Sequence, residues 1–173
     1  MKRASFQPMP CPVARALEHI GDGWSLLILR DAFYGLRRFD DFLNSLGIAS
    51  NTLTRRLGTL TAAGLLERLP YQDNPPRYEY LLTEAGRDLR PVILTLMAWG
   101  ARHTSGSDKV FLADEATGKP VDLMLMDANT GKPITREGHR VHVSQDADEL
   151  AKWRVRTGQA YREADALISH FPH

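Results

Sequence analysis

The side chains best suited to bind another macromolecule lie in one short polar segment. It carries hydroxyl, amide and guanidinium groups at neighbouring positions: Ser50, Asn51, Thr52, Thr54, Arg55 and Arg56. Leu53, Leu57 and Leu60 recur between and after them at helical spacing. A helix from about Asn51 to Ala63, capped by Ser50, would therefore have one apolar face and one polar, basic face. Side chains in the first two turns of such a helix can reach base edges in the major groove of DNA, and Ser50 would lie near a phosphate.

Arg56 has two interpretations that the sequence leaves open. Its guanidinium could bind a phosphate or donate two hydrogen bonds to a guanine edge. Alternatively, it forms an ion pair with Asp40 or Asp41, which lie on the preceding predicted helix. Taken alone, the segment is also compatible with a helical hairpin whose polar face is only solvated. The neighbouring elements decide between this hairpin and a DNA-binding helix.

A predicted β-hairpin directly follows this helix. Leu65–Leu69 and Arg77–Leu82 have the composition of strands. Tyr71–Pro76 between them contains Asp-Asn and two prolines, which favour a turn. A hairpin in this position is the wing of a winged helix-turn-helix, in which the preceding helix reads DNA. The order of elements therefore favours DNA binding over a solvated hairpin.

Four further residues extend the predicted DNA surface. Arg77 and Asn74 lie on the wing, where they are expected to approach the DNA backbone or the minor groove. Arg37 and Arg38 precede the third predicted helix, and they are either phosphate contacts or solvated loop charges.

Periodicity and capping residues predict further helices on both sides of this segment. The predicted ranges are Pro12–Ile20, Gly23–Phe33, Phe39–Leu46 and Glu84–His103. Pro91 is expected to lie inside the last helix and to bend it. This helix carries more apolar surface than a module of this size can bury alone, which indicates a subunit interface.

In residue types, spacing and order, about the first 105 residues resemble the HxlR-type winged-helix transcriptional regulators. The matching stretches are CPVARALEHIGDGWSLLILRDAFYGLRRFDDF at 11–42, IASNTLTRRLGTLTAAGLLER at 48–68, PPRYEYLLTEAGRDL at 75–89 and MAWGARH at 97–103. Asp22 stands where a second glycine is frequent in the family. The resemblance implies a cytoplasmic homodimer that binds a palindromic operator in double-stranded DNA and dimerises through the first and last helices of the domain. Whether it represses or activates transcription is left open.

Cys11 occupies the position at which several family members sense electrophiles, quinones or oxidants. A thiol at a helix N-terminus has a lowered pKa and a raised reactivity. The alternative is an inert, partly buried small residue. A single cysteine cannot form a disulfide within its own chain, which fits a reducing compartment.

The last seventy residues contain a repeated turn motif. Thr117-Gly118-Lys119-Pro120 recurs as Thr130-Gly131-Lys132-Pro133. Val121–Met126 between the two motifs is predicted to form a strand, with 110–112 and 141–143 as its neighbours. The arrangement resembles the zinc ribbon of some longer family members, but neither turn has a cysteine, and His139 and His142 cannot hold a structural zinc alone. We therefore predict a metal-free ribbon, with two coincidental hairpin turns as the alternative, and no cofactor.

Beyond these turns, a helix is predicted from Ser144, as its N-cap, to about His170, with Thr157-Gly158 as a point where it could divide. It could pack on the winged helix, enlarge the dimer interface or cover a pocket for an unknown small-molecule effector.

Composition agrees with a globular regulator and sets its expected division. The 173 residues are predicted to be mainly α with small β (α+β), with a winged helix-turn-helix domain at 1–105 and a β-hairpin and helix extension at 106–173. Residues 1–103 carry 13 lysines and arginines against 10 acidic residues, a net charge of +3, whereas residues 104–173 carry a net charge of −2. A basic first half is compatible with a nucleic acid partner.

Other functional classes find less support in the residues. No apolar run is long enough for a membrane span, and the first residues lack the features of a signal peptide. The sequence has no nucleophile elbow, phosphate loop, dinucleotide fingerprint or His-Glu-x-x-His motif, so we expect no enzyme. The remaining alternative is a winged helix that binds proteins without binding DNA.

Overall fold

A computed structural model of the chain describes residues 5–105, 109–135 and 137–168. These residues form two compact units, one of residues 16–123 and the other of the residues before 16 and after 123. The sequence-based division at residue 105, which was inferred from the linker-like composition around that point, stays a prediction.

The larger unit is a winged helix-turn-helix, as predicted. Its elements are α1 (Pro12–Ile20, which begins in the smaller unit), α2 (Gly23–Phe33), α3 (Phe39–Leu46), α4 (Ser50–Ala62), β1 (Leu66–Asp73), β2 (Pro76–Leu82), α5 (Glu84–Arg87) and α6 (Arg90–His103). Strands β1 and β2 form an antiparallel two-stranded sheet. The first three helices begin and end at the predicted residues, and the mainly α fold class with a small sheet is confirmed.

One apolar cluster holds these helices together. Its buried members come from α1, α2, α3, α4 and β1: Ile20, Ile28, Leu29, Phe42, Leu53, Leu57, Leu60 and Leu66. Leu53, Leu57 and Leu60 are fully buried, which confirms the apolar face predicted for α4. Because these leucines share one side of the helix, their burial turns the opposite side of α4 to solvent.

The start of α4 differs from the prediction. Its N-cap is Ala49, so Ser50 is the first helical residue and does not cap the helix. The turn that precedes it uses Gly47 in the left-handed conformation, with φ of 61°, which ends α3. Ile48 and Ala49 then suffice to reach the next helix, one residue earlier than the polar Ser50 suggested.

The wing strands are longer and their turn is shorter than predicted. The pairing continues to Asp73 and Pro76, so only Asn74 and Pro75 form the turn, and the expected loop over residues 71–76 was wrong. Proline blocks a central strand because it cannot donate a ladder hydrogen bond. In a sheet of two strands both are edge strands, and a proline can face outward.

The predicted long helix over 84–103 is also corrected. It is divided into α5 and α6, and Pro91 lies in the first turn of α6 instead of bending a longer helix. Thr83 caps α5 by accepting a hydrogen bond from the N–H of Gly86 at 3.0 Å. Proline in a first turn loses no intrahelical hydrogen bond, which makes a new helix start the cheaper solution.

The two repeated motifs form two similar hairpins, one in each unit. Ala113 pairs with Pro120 in the first, and β3 (Met126–Asp127) pairs with β4 (Lys132–Pro133) in the second. The predicted strands over 121–126 and 141–143 are absent from the described residues except for the start of β3, so the small sheet between the motifs was wrong. The hairpins are closed locally, by hydrogen bonds within each turn.

The last helix, α7 (Glu149–Ile168), runs without a break through Thr157 and Gly158. Its first turn is capped by Asp148, whose carboxylate accepts a hydrogen bond from the N–H of Ala151 at 3.0 Å. The prediction of Ser144 as the cap was therefore wrong, and His170 lies outside the described residues. Within the part of the chain that is described, no helix is both long and apolar enough to cross a membrane.

The buried leucines of α4 make a first prediction. Leu57→Ala should lower the free energy of unfolding by about 2–5 kcal/mol, because it removes a fully buried side chain and leaves a cavity. Denaturant unfolding at a fixed protein concentration measures the change. Asn51→Ala is the matched control on the exposed side of α4, with an expected change within about 0.5 kcal/mol. Equal effects of the two substitutions would contradict the burial pattern.

Candidate nucleic-acid interface

The exposed face of α4 is formed by polar side chains in its first two turns. Asn51, Thr54 and Arg55 are exposed, and Thr52 is half-buried. The Thr54 hydroxyl donates to the carbonyl oxygen of Ser50 at 2.8 Å, and the Thr52 hydroxyl lies 3.4 Å from the Asn51 amide oxygen. Among the described residues, the Arg55 guanidinium forms no ion pair. This face therefore offers solvent-facing donors and acceptors on a helix that the core holds in place.

The N-terminus of α4 has the properties of an anion site. No side chain of the described residues caps it, because Ala49 occupies the N-cap position. The first N–H groups of a helix have no intrahelical acceptor, and the helix dipole adds partial positive charge there. Ser50, exposed in this first turn, can add its hydroxyl to the backbone donors. A DNA phosphate is a suitable acceptor for such a group.

Arg56 is placed differently from its neighbour Arg55. Its Nη1 atom lies 2.6 Å from Oδ2 of Asp22, at the start of α2, and only 24% of its side chain is exposed. The ion pair that the sequence offered as an alternative is thus formed, but its partner is Asp22 and not Asp40 or Asp41. The other predicted residues of α4 lie on the exposed face or at its edge.

Two arginines stack on tyrosines of the wing. The Arg38 guanidinium lies 4.6 Å from the ring centre of Tyr71, and its Nε is 3.2 Å from a carboxylate oxygen of Glu79. Arg68 lies 4.1 Å from the ring centre of Tyr78. Such cation–π contacts hold the flexible arginine stems in one orientation. Arg38, at the N-cap position of α3, thus contacts the wing through Tyr71 and Glu79, while 55% of its side chain is exposed.

The remaining predicted residues are exposed around the same elements. Arg77 lies 3.9 Å from Asp40, and both side chains are largely exposed, so this ion pair is weak. Asn74 is exposed in the wing turn. The Arg37 side chain is exposed as well, while its carbonyl oxygen accepts a hydrogen bond from the N–H of Tyr80 at 2.7 Å. That bond joins the loop before α3 to strand β2.

The sequence analysis did not predict a role for two residues of this region. Arg68 lies on a predicted strand, but its stacking on Tyr78 depends on the register of the sheet. Asp22 was noted only as a departure from glycine. An aspartate three residues before Ser25, at the start of an apolar helix, is a typical N-cap signal and could have been recognised.

Cys11 lies at the start of α1 and is half-buried. Hydrogen bonds from the backbone of Ala14 and then of Val13 lower the pKa of its thiol, and Arg154 makes a smaller electrostatic contribution in the same direction. A helix N-terminus stabilises the thiolate form. The thiol of Cys11 therefore loses its proton at a lower pH than an ordinary cysteine thiol does.

An apolar cavity of about 450 Å³ lies between two helices of the larger unit. Leu26, Leu27 and Arg30 line it from α2, and Ile93, Leu96 and Met97 line it from α6. Its volume falls within the range of small-molecule sites. No group of three or more histidine, cysteine or acidic residues in the described ranges is arranged to hold a metal ion.

Comparison with known proteins identifies the family to which this fold and this interface belong. The model of the HxlR-like helix-turn-helix family matches residues 19–108. The chain belongs to the HxlR family. An uncharacterized HTH-type transcriptional regulator of Mycobacterium tuberculosis is 44% identical over 125 residues, which are 71% of this chain and 79% of the relative. The chain is accordingly a DNA-binding transcriptional regulator of the helix-turn-helix class.

Solved structures agree with this assignment. The crystal structure of PA1607, described as a candidate transcription factor, is 40% identical and has a TM-score of 0.71, with 83% of this chain and all of that chain covered. The reduced form of the redox regulator HypR is 33% identical, with a TM-score of 0.52, and covers 58% of this chain and all of its own. The family and relatives are transcriptional regulators by name, and none of these names describes an enzyme.

Proposed function

We propose that the protein is a cytoplasmic homodimer that regulates transcription by binding a palindromic operator in double-stranded DNA through α4 and the wing, without enzymatic activity. The observation that carries the proposal is the exposed face of α4. Asn51, Thr54 and Arg55 project from a helix whose other face is fixed by three buried leucines. Side chains held in this way can match base edges in the major groove at a low entropic cost.

The wing and the helix N-terminus supply the contacts to the DNA backbone in this proposal. Ser50 and the first N–H groups of α4 bind one phosphate. The DNA backbone or minor groove on the wing side is bound by Arg37, Arg38, Arg77 and Asn74. Arg68 on β1 provides a further contact of this kind. Contacts of this kind position the protein, while the α4 side chains discriminate between sequences.

The proposed dimer rests on exposed apolar side chains of the first and last helices. Leu17 of α1 is 40% exposed, and Leu96 and Trp99 of α6 are 48% and 56% exposed. Large apolar side chains clustered on one helix at a domain surface are typical of subunit interfaces. A two-fold axis between the subunits would then match the symmetry of a palindromic operator.

We place a small-molecule effector in the cavity between α2 and α6. The lining of this cavity is largely apolar, and Arg30 and Lys109 contribute cations to it. A ligand there would contact α6, the proposed dimer helix, and α2, which contacts α4 within the core. Occupation of the cavity could therefore change the spacing of two recognition helices in a dimer.

We also propose that Cys11 is an electrophile- or oxidant-sensitive residue. Its lowered thiol pKa supports this role, as does the similarity of the chain to a structure named as a redox regulator. With one cysteine in the sequence, oxidation can join Cys11 only to a second chain or to a small thiol.

The dimer is tested by placing a charge on α6. Leu96→Asp should raise the dissociation constant of the dimer by roughly two orders of magnitude, because a carboxylate would be buried in an apolar interface. Sedimentation velocity over a range of concentrations measures this constant. Leu69→Asp on β1 is the control, since it introduces the same charge at an exposed leucine outside α1 and α6. An unchanged dimer in the Leu96 variant would place the interface elsewhere.

Operator binding is tested with the intergenic DNA upstream of the protein's own gene. Arg55→Ala should weaken binding by roughly 1–3 kcal/mol if the lost contact is to a base. Fluorescence anisotropy at several salt concentrations, with scrambled DNA as competitor, measures the affinity and its salt dependence. Lys119→Ala removes a positive charge at an exposed residue outside α4, the wing and the proposed dimer helices, and it should have little effect.

Two outcomes would contradict the proposal in different ways. Wild-type affinity in a folded, dimeric Arg55→Ala variant would remove that residue from the reading surface. If the wild-type protein binds no DNA at any salt concentration, the module that binds proteins instead of DNA becomes the better explanation.

The thiol is tested through its pH dependence. A group with a lowered pKa is deprotonated at a lower pH, so alkylation of Cys11 should reach half its maximal rate at lower pH in the folded protein than in urea. Mass spectrometry follows the reaction, which reports on one site because the chain has one cysteine. Diamide should weaken operator binding by the wild type and leave Cys11→Ser unaffected. An equal response of the two proteins would exclude Cys11 as the sensor.

A further inference from the structure

The aspartate at the start of α2 joins two helices through its two carboxylate oxygens. Oδ1 of Asp22 accepts hydrogen bonds from the N–H groups of Trp24 at 2.9 Å and Ser25 at 3.4 Å, which caps α2. Oδ2 lies 2.6 Å from Nη1 of Arg56 on α4 and 3.3 Å from the Ser25 hydroxyl. The side chain is only 11% exposed. Asp22 therefore connects the rigid α2 directly to the helix that faces DNA.

The environment of Arg56 does not suit a DNA contact. Its side chain is mostly covered, and its Nε is buried without a hydrogen-bond partner in the described structure. To reach a phosphate, Arg56 would have to leave Asp22 and leave that carboxylate unpaired in a largely buried position. Breaking a buried pair on one side is strongly unfavourable.

The ion pair between Asp22 and Arg56 adds an interaction that orients α4 about its axis, which the apolar core alone does not provide. Packing of Leu53, Leu57 and Leu60 holds α4 against the core, but apolar contacts are weakly directional. The ion pair between Arg56 and Asp22 is short, with 2.6 Å between Nη1 and Oδ2, and it joins one specific atom of α4 to one at the start of α2. Because consecutive residues of a helix differ by about 100° around its axis, fixing Arg56 also fixes where Arg55 projects.

We infer that Asp22 and Arg56 form a clamp that sets the rotation of α4, so that both are positioning residues and Arg56 is not a DNA contact. The inference revises the role first expected for Arg56. It rests on the proposed use of α4 in operator binding, and it assigns a function to Asp22 that is additional to capping α2.

The test compares Asp22→Asn, Arg56→Gln and the double variant in operator binding over a range of salt concentrations. Asparagine keeps the Oδ1 acceptor that caps α2 and removes the charge that Arg56 needs. Each single substitution should weaken binding by roughly tenfold, and the double variant should be no weaker than either, because all three lack the same pair. The salt dependence should stay at its wild-type slope, since no phosphate contact is lost.

Arg55→Gln is the matched control at the neighbouring position. It removes an exposed arginine and should weaken binding, whereas hydrogen exchange of the α4 amides should remain as in the wild type. In Asp22→Asn and Arg56→Gln, the same amides should exchange faster. Arg56→Lys keeps the charge at this position, and it should recover part of both the affinity and the protection.

Several results would overturn the clamp. A loss confined to Arg56→Gln, with a salt slope reduced by about one and Asp22→Asn unaffected, would make Arg56 a phosphate contact. Additive losses in the double variant, or wild-type affinity in both single variants, would show that Asp22 and Arg56 are not coupled in operator binding and would overturn the clamp. If the wild-type protein binds no operator, the proposed function is contradicted, and hydrogen exchange of the α4 amides tests the clamp separately. Unchanged exchange in both single variants would overturn the clamp.

Discussion

The burial of three leucines on one side of α4 is the constraint on which the interface depends. Leu53, Leu57 and Leu60 are completely covered, and they contact a cluster contributed by α1, α2, α3 and β1. Once this face is packed, the opposite side of the helix is exposed, because both follow from the same helical period, and the proposed Asp22–Arg56 clamp sets the remaining rotation. The polar face needs no interaction of its own to be exposed. Hydrophobic burial in the core thus determines which side chains can meet a base.

The arginines of the larger unit serve two different purposes, which a count of charges does not separate. Arg30 is paired with Asp31, Arg38 with Glu79 and Arg56 with Asp22. The second and third pairs connect different elements, whereas Arg30 and Asp31 are neighbours on α2. Arg55 has no such partner among the described residues. Each of these pairs contains one cation and one anion, so the net charge of this half is carried by its other residues, Arg55 among them.

Local signals in the sequence were sufficient for the helices, and insufficient where the outcome depended on distant residues. Pro12, Gly47 and the leucine spacing act within a few residues, so α1, α3 and the apolar face of α4 were predictable. Pro91 was misjudged because the same residue can bend a long helix or begin a new one, and the choice depends on the packing around residues 88 and 89. The pairing of Arg56 with Asp22 was out of reach, since nothing in the spacing shows which carboxylate a folded α4 will meet. The wing turn was misjudged because its prolines were expected to end the strands, whereas both strands of a two-stranded hairpin are edge strands, which tolerate proline.

Each of the two repeated turns is closed by hydrogen bonds to an aspartate side chain. In the first, Oδ1 of Asp114 accepts hydrogen bonds from the N–H and the hydroxyl of Thr117, at 2.9 and 2.8 Å. In the second, Asp127 accepts from the N–H of Asn129 at 2.9 Å and from the Thr130 hydroxyl at 2.8 Å. Gly118 and Gly131 follow with φ of 67° and 64°, a conformation that glycine adopts without strain.

These hydrogen bonds also explain the electrostatics of the two turns. The Thr117 hydroxyl and N–H lower the pKa of Asp114, and the N–H of Asn129 and the Thr130 hydroxyl lower the pKa of Asp127. A carboxylate with a lowered pKa stays ionised, and keeps accepting these bonds, down to a lower pH than an ordinary aspartate. The aspartate, threonine and glycine of the first turn recur thirteen residues later in the second. The second turn is therefore closed by the same kind of hydrogen bonds, all of them within the turn. Each hairpin is therefore closed by side chains of its own turn.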